Sequence, residues 1–254
     1  MICLAVQRLT QKPVDHMTRT TFKFGPAAAG HLTKQQFVYA TLRESILRCE
    51  LGPGARLVID DLAKQFHVSI IPVREALRLL QSEGLVVSVA HVGATVAPIS
   101  RASVVEVFTL LEGLETVAGR VVAERATASD LAALGEFVAA MDRALAAGSP
   151  LQWAQINTQF HLAISRSTGM PILQDMMQRA VDYWDRVRRF YFRDVLIHRT
   201  RQAQAEHHAM LEHMEAHNFP ALEQTIREHN RGALAAYMVH LEGVADGEKR
   251  ERHA

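Results

Sequence analysis

From Ser100 to about Val244 the chain offers six consecutive segments in which apolar residues recur at helical spacing, and none in which they alternate as in a strand. The segments cover 104–125, 129–147, 151–168, 172–195, 201–216 and 220–243, and short turns, most containing Gly, Pro or Asn, separate them. Helices of this length with short connections bury their apolar stripes against one another, so this part of the chain is predicted to be an all-α bundle.

The preceding residues read differently. Between Thr33 and Glu50 the set Phe37, Ala40, Leu42, Ile46 and Leu47 follows helical spacing, and Gly52-Pro53-Gly54 ends it. A short helix over Ile59 to Phe66 turns Leu62, Ala63 and Phe66 inward and sets Asp60 and Asp61 at its positive end, where carboxylates are favoured. Ser69 is placed to cap a third helix, with Pro72 in its first turn, where a missing N–H costs nothing, and Gly84 closes it. In that helix Val73, Ala76, Leu77 and Leu80 take one side, while Arg74, Arg78 and Gln81 take another. The β-prone stretches 85–89 and 94–97, joined by a turn containing Gly93, predict a two-stranded wing. The expected fold is mainly α: a winged helix-turn-helix over 31–99, then a helical domain over 100–245. Residues 1–30, with Arg8, Lys12, Arg19 and Lys23 against Asp15, read as a disordered extension and possible basic arm; Met17 is an alternative start. Residues 246–254 read as a frayed charged tail.

With 28 basic and 27 acidic residues the net charge is +1, so any affinity for DNA must come from a local surface. Arg74 supplies one: its fork matches guanine O6 and N7, a pair worth about 1–3 kcal/mol of discrimination, and it stands where a recognition helix meets base edges. Arg78 is then a phosphate or further base contact. The competing reading has both arginines solvating a surface helix and pairing with Glu75 or Glu83. Two cysteines, Cys3 and Cys49, argue against a disulfide framework and fit a reducing cytoplasm, with Cys49 read as a small buried hydrophobe. No apolar run is long enough for a bilayer, and Ile2–Val6 is too short for a signal-peptide core, so a soluble cytoplasmic protein is expected.

Thirteen histidines invite a metal site. Asn157 and His161, four apart on a helical stretch, project side by side and can grip one ion. On the next-to-last helix, His207 is rotated about 100° from His208 and about 240° from His213, so one of the three faces any given point. His229 follows on the last helix; His240, roughly 16 Å further along its axis, cannot share its ion. On residues alone the group reads either as ligands or as core histidines satisfied by hydrogen bonds. His198, His208, His213, His217 and His240 read as surface or structural. Tyr183, Trp184, Phe190, Tyr191 and Phe192 read as packing or effector contacts, and the charges around them, from Asp182 to Asp194, as a solvated face. No HExxH helix, phosphate loop, Gly-x-Ser-x-Gly elbow or catalytic carboxylate pair occurs. A metal-dependent hydrolase or lyase on a helical bundle is the alternative function, and a helical interaction protein a third.

The order Gly52-Pro-Gly-Ala-Arg-Leu57, Leu62-Ala63, Val68-Ser69-Ile-Ile-Pro72-Val73-Arg74-Glu75-Ala76-Leu77, Leu80 and Glu83-Gly84-Leu85-Val86 resembles the winged helix-turn-helix of GntR-family bacterial transcriptional regulators. The helical remainder resembles the FCD effector domain of that family's FadR-like branch. The resemblance implies a homodimer reading a palindromic operator, with a small effector, an organic acid, in the helical domain. It selects His207, through Glu206-His207, and His229 beside Asn157 and His161 as ligands of a divalent ion such as Zn, Ni or Mn. On the DNA side it assigns Ser69, Pro72, Arg74, Arg78 and the wing at His91 and Gly93. Three departures stand out. Ile70 and Ile71 replace an Arg and a small polar residue, shifting specificity toward Arg74, Ser69 and the wing. Asn157 replaces Asp, which lowers metal affinity but leaves a loaded site of about +2 that attracts anions. Leu111 replaces an effector-binding Arg, for which Arg186 or Arg189 is the expected substitute.

Overall fold

A computed structural model describes residues 32–251, which divide into two units between Pro98 and Ile99. The expected extension over 1–30, its basic arm and Met17 lie outside the described residues, as do 252–254.

Thr33 starts the first helix, α1 (Lys34–Leu47), by a reciprocal cap: its hydroxyl accepts from Gln36 N–H at 3.2 Å, and Gln36 Oε1 accepts from Thr33 N–H at 2.9 Å. The buried residues are Val38, Leu42, Ser45 and Ile46, so Val38 takes the inward place that spacing had offered to Ala40, which is exposed. Cys49 is half-buried at φ +58°, in the turn after α1 rather than in the core. α2 (Ile59–Phe66) buries Leu62, Ala63 and Phe66, and α3 (Ile70–Ser82) buries Val73, Ala76, Leu77 and Leu80. Gly84 at φ +75° ends α3. β1 (Val86–Val89) and β2 (Gly93–Val96) pair antiparallel with Val86 opposite Val96 and Val89 opposite Gly93, so Gly93 opens a strand and the loop is Ala90–Val92. The wing also has a third stretch: Leu57 N–H donates to Ala94 O at 2.8 Å and Val96 N–H to Ala55 O at 2.9 Å, with a bridge between Arg56 and Thr95. Its Gly-Pro-Gly setting hid it from the strand pattern.

The second unit is a bundle of α4 (Arg101–Arg125), α5 (Ala128–Ala146), α6 (Pro150–Ser167), α7 (Pro171–Val195), a 3-10 turn (Leu196–His198), α8 (Thr200–Glu215) and α9 (Phe219–Glu251). Ser100 with Ser103, and Thr127 with Asp130, form reciprocal caps for α4 and α5. α4 packs against α6, α7, α8 and α9, and α5 against α6 and α8. The shared core includes Phe108, Trp153, Phe160, Met177, Met210, Met214 and Tyr237. α9 runs through Glu251, past the point near Val244 where the apolar pattern stops. Glu and Lys are good helix formers, so a helix already nucleated by packing continues into a charged segment that has no apolar stripe. Among the described residues no helix is long and apolar enough to cross a membrane.

Candidate metal centre and DNA-reading face

Three imidazoles from three helices converge. His161 on α6, His207 on α8 and His229 on α9 are all buried, and each offers a ligand atom within 4.8 Å of the other two. Their ring centroids are 5.4 Å (His161–His207), 5.3 Å (His161–His229) and 4.8 Å (His207–His229) apart. An ion held tetrahedrally at 2.0–2.1 Å needs nitrogens roughly 3.3 Å apart, so the rings would have to draw together around it. His208 and His213 point elsewhere: His208 meets Asp142 at 2.9 Å, and His213 is no part of the cluster. His217 hydrogen-bonds Ala123 O, and His240 packs 5.4 Å from the Tyr191 ring.

Each ring is oriented through Nδ1. For His207, Gln204 Oε1 lies 3.4 Å from Nδ1 and also accepts from Trp153 Nε1 at 3.1 Å, while Gln204 Nε2 donates to Asp142 at 2.8 Å and to Val138 O at 3.0 Å. That chain makes His207 Nδ1 the protonated nitrogen and leaves Nε2 as a lone pair. Nε2 is buried and has no hydrogen-bond partner. For His229, Nδ1 meets Glu206 Oε2 at 2.8 Å, and Glu206 is held by the buried Arg199, whose Nη2 donates to Oε1 at 2.8 Å and to Oε2 at 2.9 Å. Arg199 reaches it past Gly232, where an added Cβ would stand 2.4 Å from Nη2. For His161, Nδ1 lies 2.8 Å from Glu115 Oε1 on α4; the carboxylate is off the direction of an ideal hydrogen bond, so the contact is chiefly electrostatic. Glu115 is fixed by Asn230 Nδ2, which donates to Oε2 at 2.7 Å.

The electrostatics favour neutral imidazoles at His207 and His229 beside ionised carboxylates. Burial, and then repulsion from His229 and His161, holds His207 well below the usual imidazole value. Burial lowers His229 as well, against the raising effect of Glu206. Burial pushes the Glu115 and Glu206 carboxyls up, but the histidines, with Asn230 at Glu115 and Arg199 at Glu206, outweigh it and keep both below the ordinary range.

Asn157, one turn before His161, is 2% exposed, and its Oδ1 is buried without a hydrogen-bond partner. Two orphaned acceptors, Asn157 Oδ1 and His207 Nε2, cost about 1–3 kcal/mol each when left unmade, and a cation that reached both would relieve them. The donor set therefore fits a divalent ion. The charge expectation changes, however: counting Glu115, Glu206 and Arg199 brings a loaded centre from about +2 to about +1, so its pull on anions is weaker than the ligands alone imply.

On α7, Arg189 is exposed and pairs with Asp185 at 2.7 Å, whereas Arg186 is 4% exposed. Arg188, also 4% exposed, pairs with Asp185 and lies 5.6 Å above the Trp184 ring, which is 6.1 Å from His161. This stretch is thus partly interior, not the solvated face its composition implied. Trp184 is core and Phe190 exposed; the side chain of Phe192 lies outside the described residues.

In the first unit Ser69 takes the N-cap position of α3 without a side-chain cap bond, and Pro72 is half-buried in the first turn. Arg74, Arg78, His91 and Gly93 are exposed. Glu83 is engaged by Tyr39 and by Arg43 at 3.1 Å, both on α1, so Arg78 does not take it. Ile71 is 70% exposed and Ile70 40%.

Comparison with known proteins agrees with both units. Residues 34–96 match the family of bacterial regulatory proteins, gntR family, and residues 106–232 match the FCD domain. The HTH-type transcriptional regulator McbR of Escherichia coli (strain K12) is 33% identical over 156 residues, 61% of this chain and 70% of that protein. The HTH-type regulator YdhC of Bacillus subtilis (strain 168), itself uncharacterized, is 25% identical over 196 residues, 75% of this chain and 85% of its own length. The solved structure of E. coli McbR/YncC superposes with a TM-score of 0.65 at 26% identity, covering 82% of this chain and 99% of that one. A GntR family member from Pseudomonas syringae pv. tomato str. DC3000 gives 0.50 at 25%, covering 85% and 89%. These relatives are transcriptional regulators, not hydrolases or lyases. The chain belongs to the GntR family of bacterial DNA-binding transcriptional regulators, with a winged helix-turn-helix followed by an FCD domain.

Proposed function

We propose that this transcriptional regulator is a metal-dependent sensor: Asn157, His161, His207 and His229 hold a divalent ion, and a small carboxylate effector binding in the helical domain alters operator affinity. The buried, partnerless Nε2 of His207, grouped with the imidazoles of His161 and His229, carries the reading, and the partnerless Oδ1 of Asn157, one turn before His161, supports it. When bound, the ion supplies fixed positive charge and open coordination for an oxygen-rich ligand. Gln204, Glu206 and Glu115 hold the rings in register, and the bundle core excludes water around them. For the effector carboxylate, Arg188 joins Arg186 and Arg189 as a candidate, since it is interior and stacked on the tryptophan that flanks His161.

On the DNA side, Ser69, Pro72, Arg74 and Arg78 of α3, with His91 and Gly93 of the wing, contact a palindromic operator as a homodimer in the cytoplasm. In this reading residues 31–99 form the DNA-binding domain and 100–245 the effector and dimerisation domain. The effector acts only to the extent that it binds the DNA-competent and incompetent arrangements with different affinity. Equilibrium dialysis of chelator-stripped protein against Zn, Ni and Mn tests the ion: wild type takes up about one per chain, and His207→Ala does not. Equal uptake by both proteins refutes the site.

A further inference from the structure

Two aliphatic side chains stand in water at the head of the helix that carries Arg74. Every other β-branched or leucine side chain of α3 except Leu79 is buried, yet Ile71 is 70% exposed and Ile70 40%. Ile71, Arg74 and Arg78, at i, i+3 and i+7, fall within about 60° of one another around the axis. Whatever surface Arg74 faces, Ile71 faces too. Arg74 and Arg78 make no ion pair among the described residues, so this side presents two cations below an aliphatic head, with the exposed Glu75 along its border. A polyanion with an apolar spot at one end of the contact matches it.

We infer that Ile71 reads the C5 methyl of a thymine in the major groove of each operator half-site. An isoleucine can neither donate nor accept, and among the base edges of that groove the thymine methyl is the apolar group. Over a G·C pair the same side chain would strip water from the cytosine amine or guanine acceptors and return no hydrogen bond. It therefore discriminates by attraction to one pair and by penalty against the other. The departure at positions 70 and 71 then exchanges a hydrogen-bonding code for a methyl code, without loss of contact.

The inference rests on α3 being the helix that enters the groove, and the test separates the two. Full-length protein is titrated by fluorescence anisotropy with the duplex it protects in its own upstream intergenic DNA. Symmetric thymine pairs in that duplex are replaced one pair at a time by deoxyuridine, which removes the methyl alone. Wild type is expected to lose about fourfold in Kd per methyl removed from the contact at one position of the half-site, the equivalent of one buried methyl group. Ile71→Ala is expected to bind the parent duplex more weakly and to show no penalty at that position, because the two deletions remove the same contact. No deoxyuridine penalty at any position, or a penalty that Ile71→Ala retains in full, overturns the proposal. Arg74→Ala reports on the helix itself: if it weakens binding while deoxyuridine does not, α3 still reads DNA and Ile71 does not. If neither changes binding, both assignments fall.

Discussion

Replacing Gly232 by Ala is expected to destabilise the helical unit, although in most helix interiors this substitution stabilises. Gly232 lies within α9, where alanine gains about 0.5–1 kcal/mol over glycine from backbone entropy. Here the new Cβ would stand 2.4 Å from Arg199 Nη2 and 3.1 Å from Cζ and Nε. Arg199 is 8% exposed and holds Glu206 through contacts of 2.8 and 2.9 Å, so it cannot swing aside into water and keep both. Losing one charge-assisted bond of that pair costs about 1.5–3 kcal/mol, which leaves a net destabilisation of about 0.5–2.5 kcal/mol after the helix gain. For a unit of this size that is about 1–10 °C in Tm. Gly113 is the control: it lies in α4, and a Cβ added there would meet nothing within 4 Å, so Gly113→Ala should raise Tm by about 1–4 °C. Circular dichroism melts of chelator-treated full-length proteins decide it. Equal stabilisation by both substitutions would refute the packing of Arg199 against Gly232 and, with it, the support of Glu206 and His229.

Gln204→Leu keeps the volume but removes the acceptor at His207 Nδ1, and should weaken metal affinity about 10- to 100-fold in competition titrations with a chromophoric chelator. Asn157→Asp should raise the metal content of purified protein measured by elemental analysis, because a carboxylate replaces a neutral carbonyl beside the cation. Arg78→Ala, as a phosphate contact, should weaken binding to all duplexes alike and lower the slope of log K against log salt by about one. Arg74→Ala should instead cost about 1–3 kcal/mol on the operator and little on unrelated DNA.

The helices were largely legible because their ends carry local chemistry. α2 falls at Ile59–Phe66 as its pattern predicts, and Gly84 ends α3. The choice among His207, His208 and His213 needed the family pattern, since rotation excludes two but does not say which. What escaped was the support of the rings, although a signal for it exists. Glu115 stands in the apolar row Val104, Phe108, Leu111, Ala118 and Val122, and Asn230 in the row Leu222, Ile226, Ala233 and Tyr237. Gln204 shares the inward face of α8 with Ala203, His207 and Met210, and Arg188 interrupts Val181, Trp184 and Val195 on α7. A polar side chain in a row that is otherwise core must find a partner inside. That rule locates such residues; Asn230 finds Glu115 115 positions away, and Gln204 finds Trp153, Asp142 and Val138 51 to 66 positions away, so those partners need the fold.

X-ray absorption spectroscopy of protein reloaded with one equivalent of zinc or nickel tests the metal assignment most directly. Three imidazoles and an amide oxygen predict a nitrogen and oxygen shell at about 2.0–2.1 Å with the outer scattering of histidine rings, reduced in His207→Ala. A sulfur shell near 2.3 Å, or a shell of water oxygens without ring scattering, would contradict it.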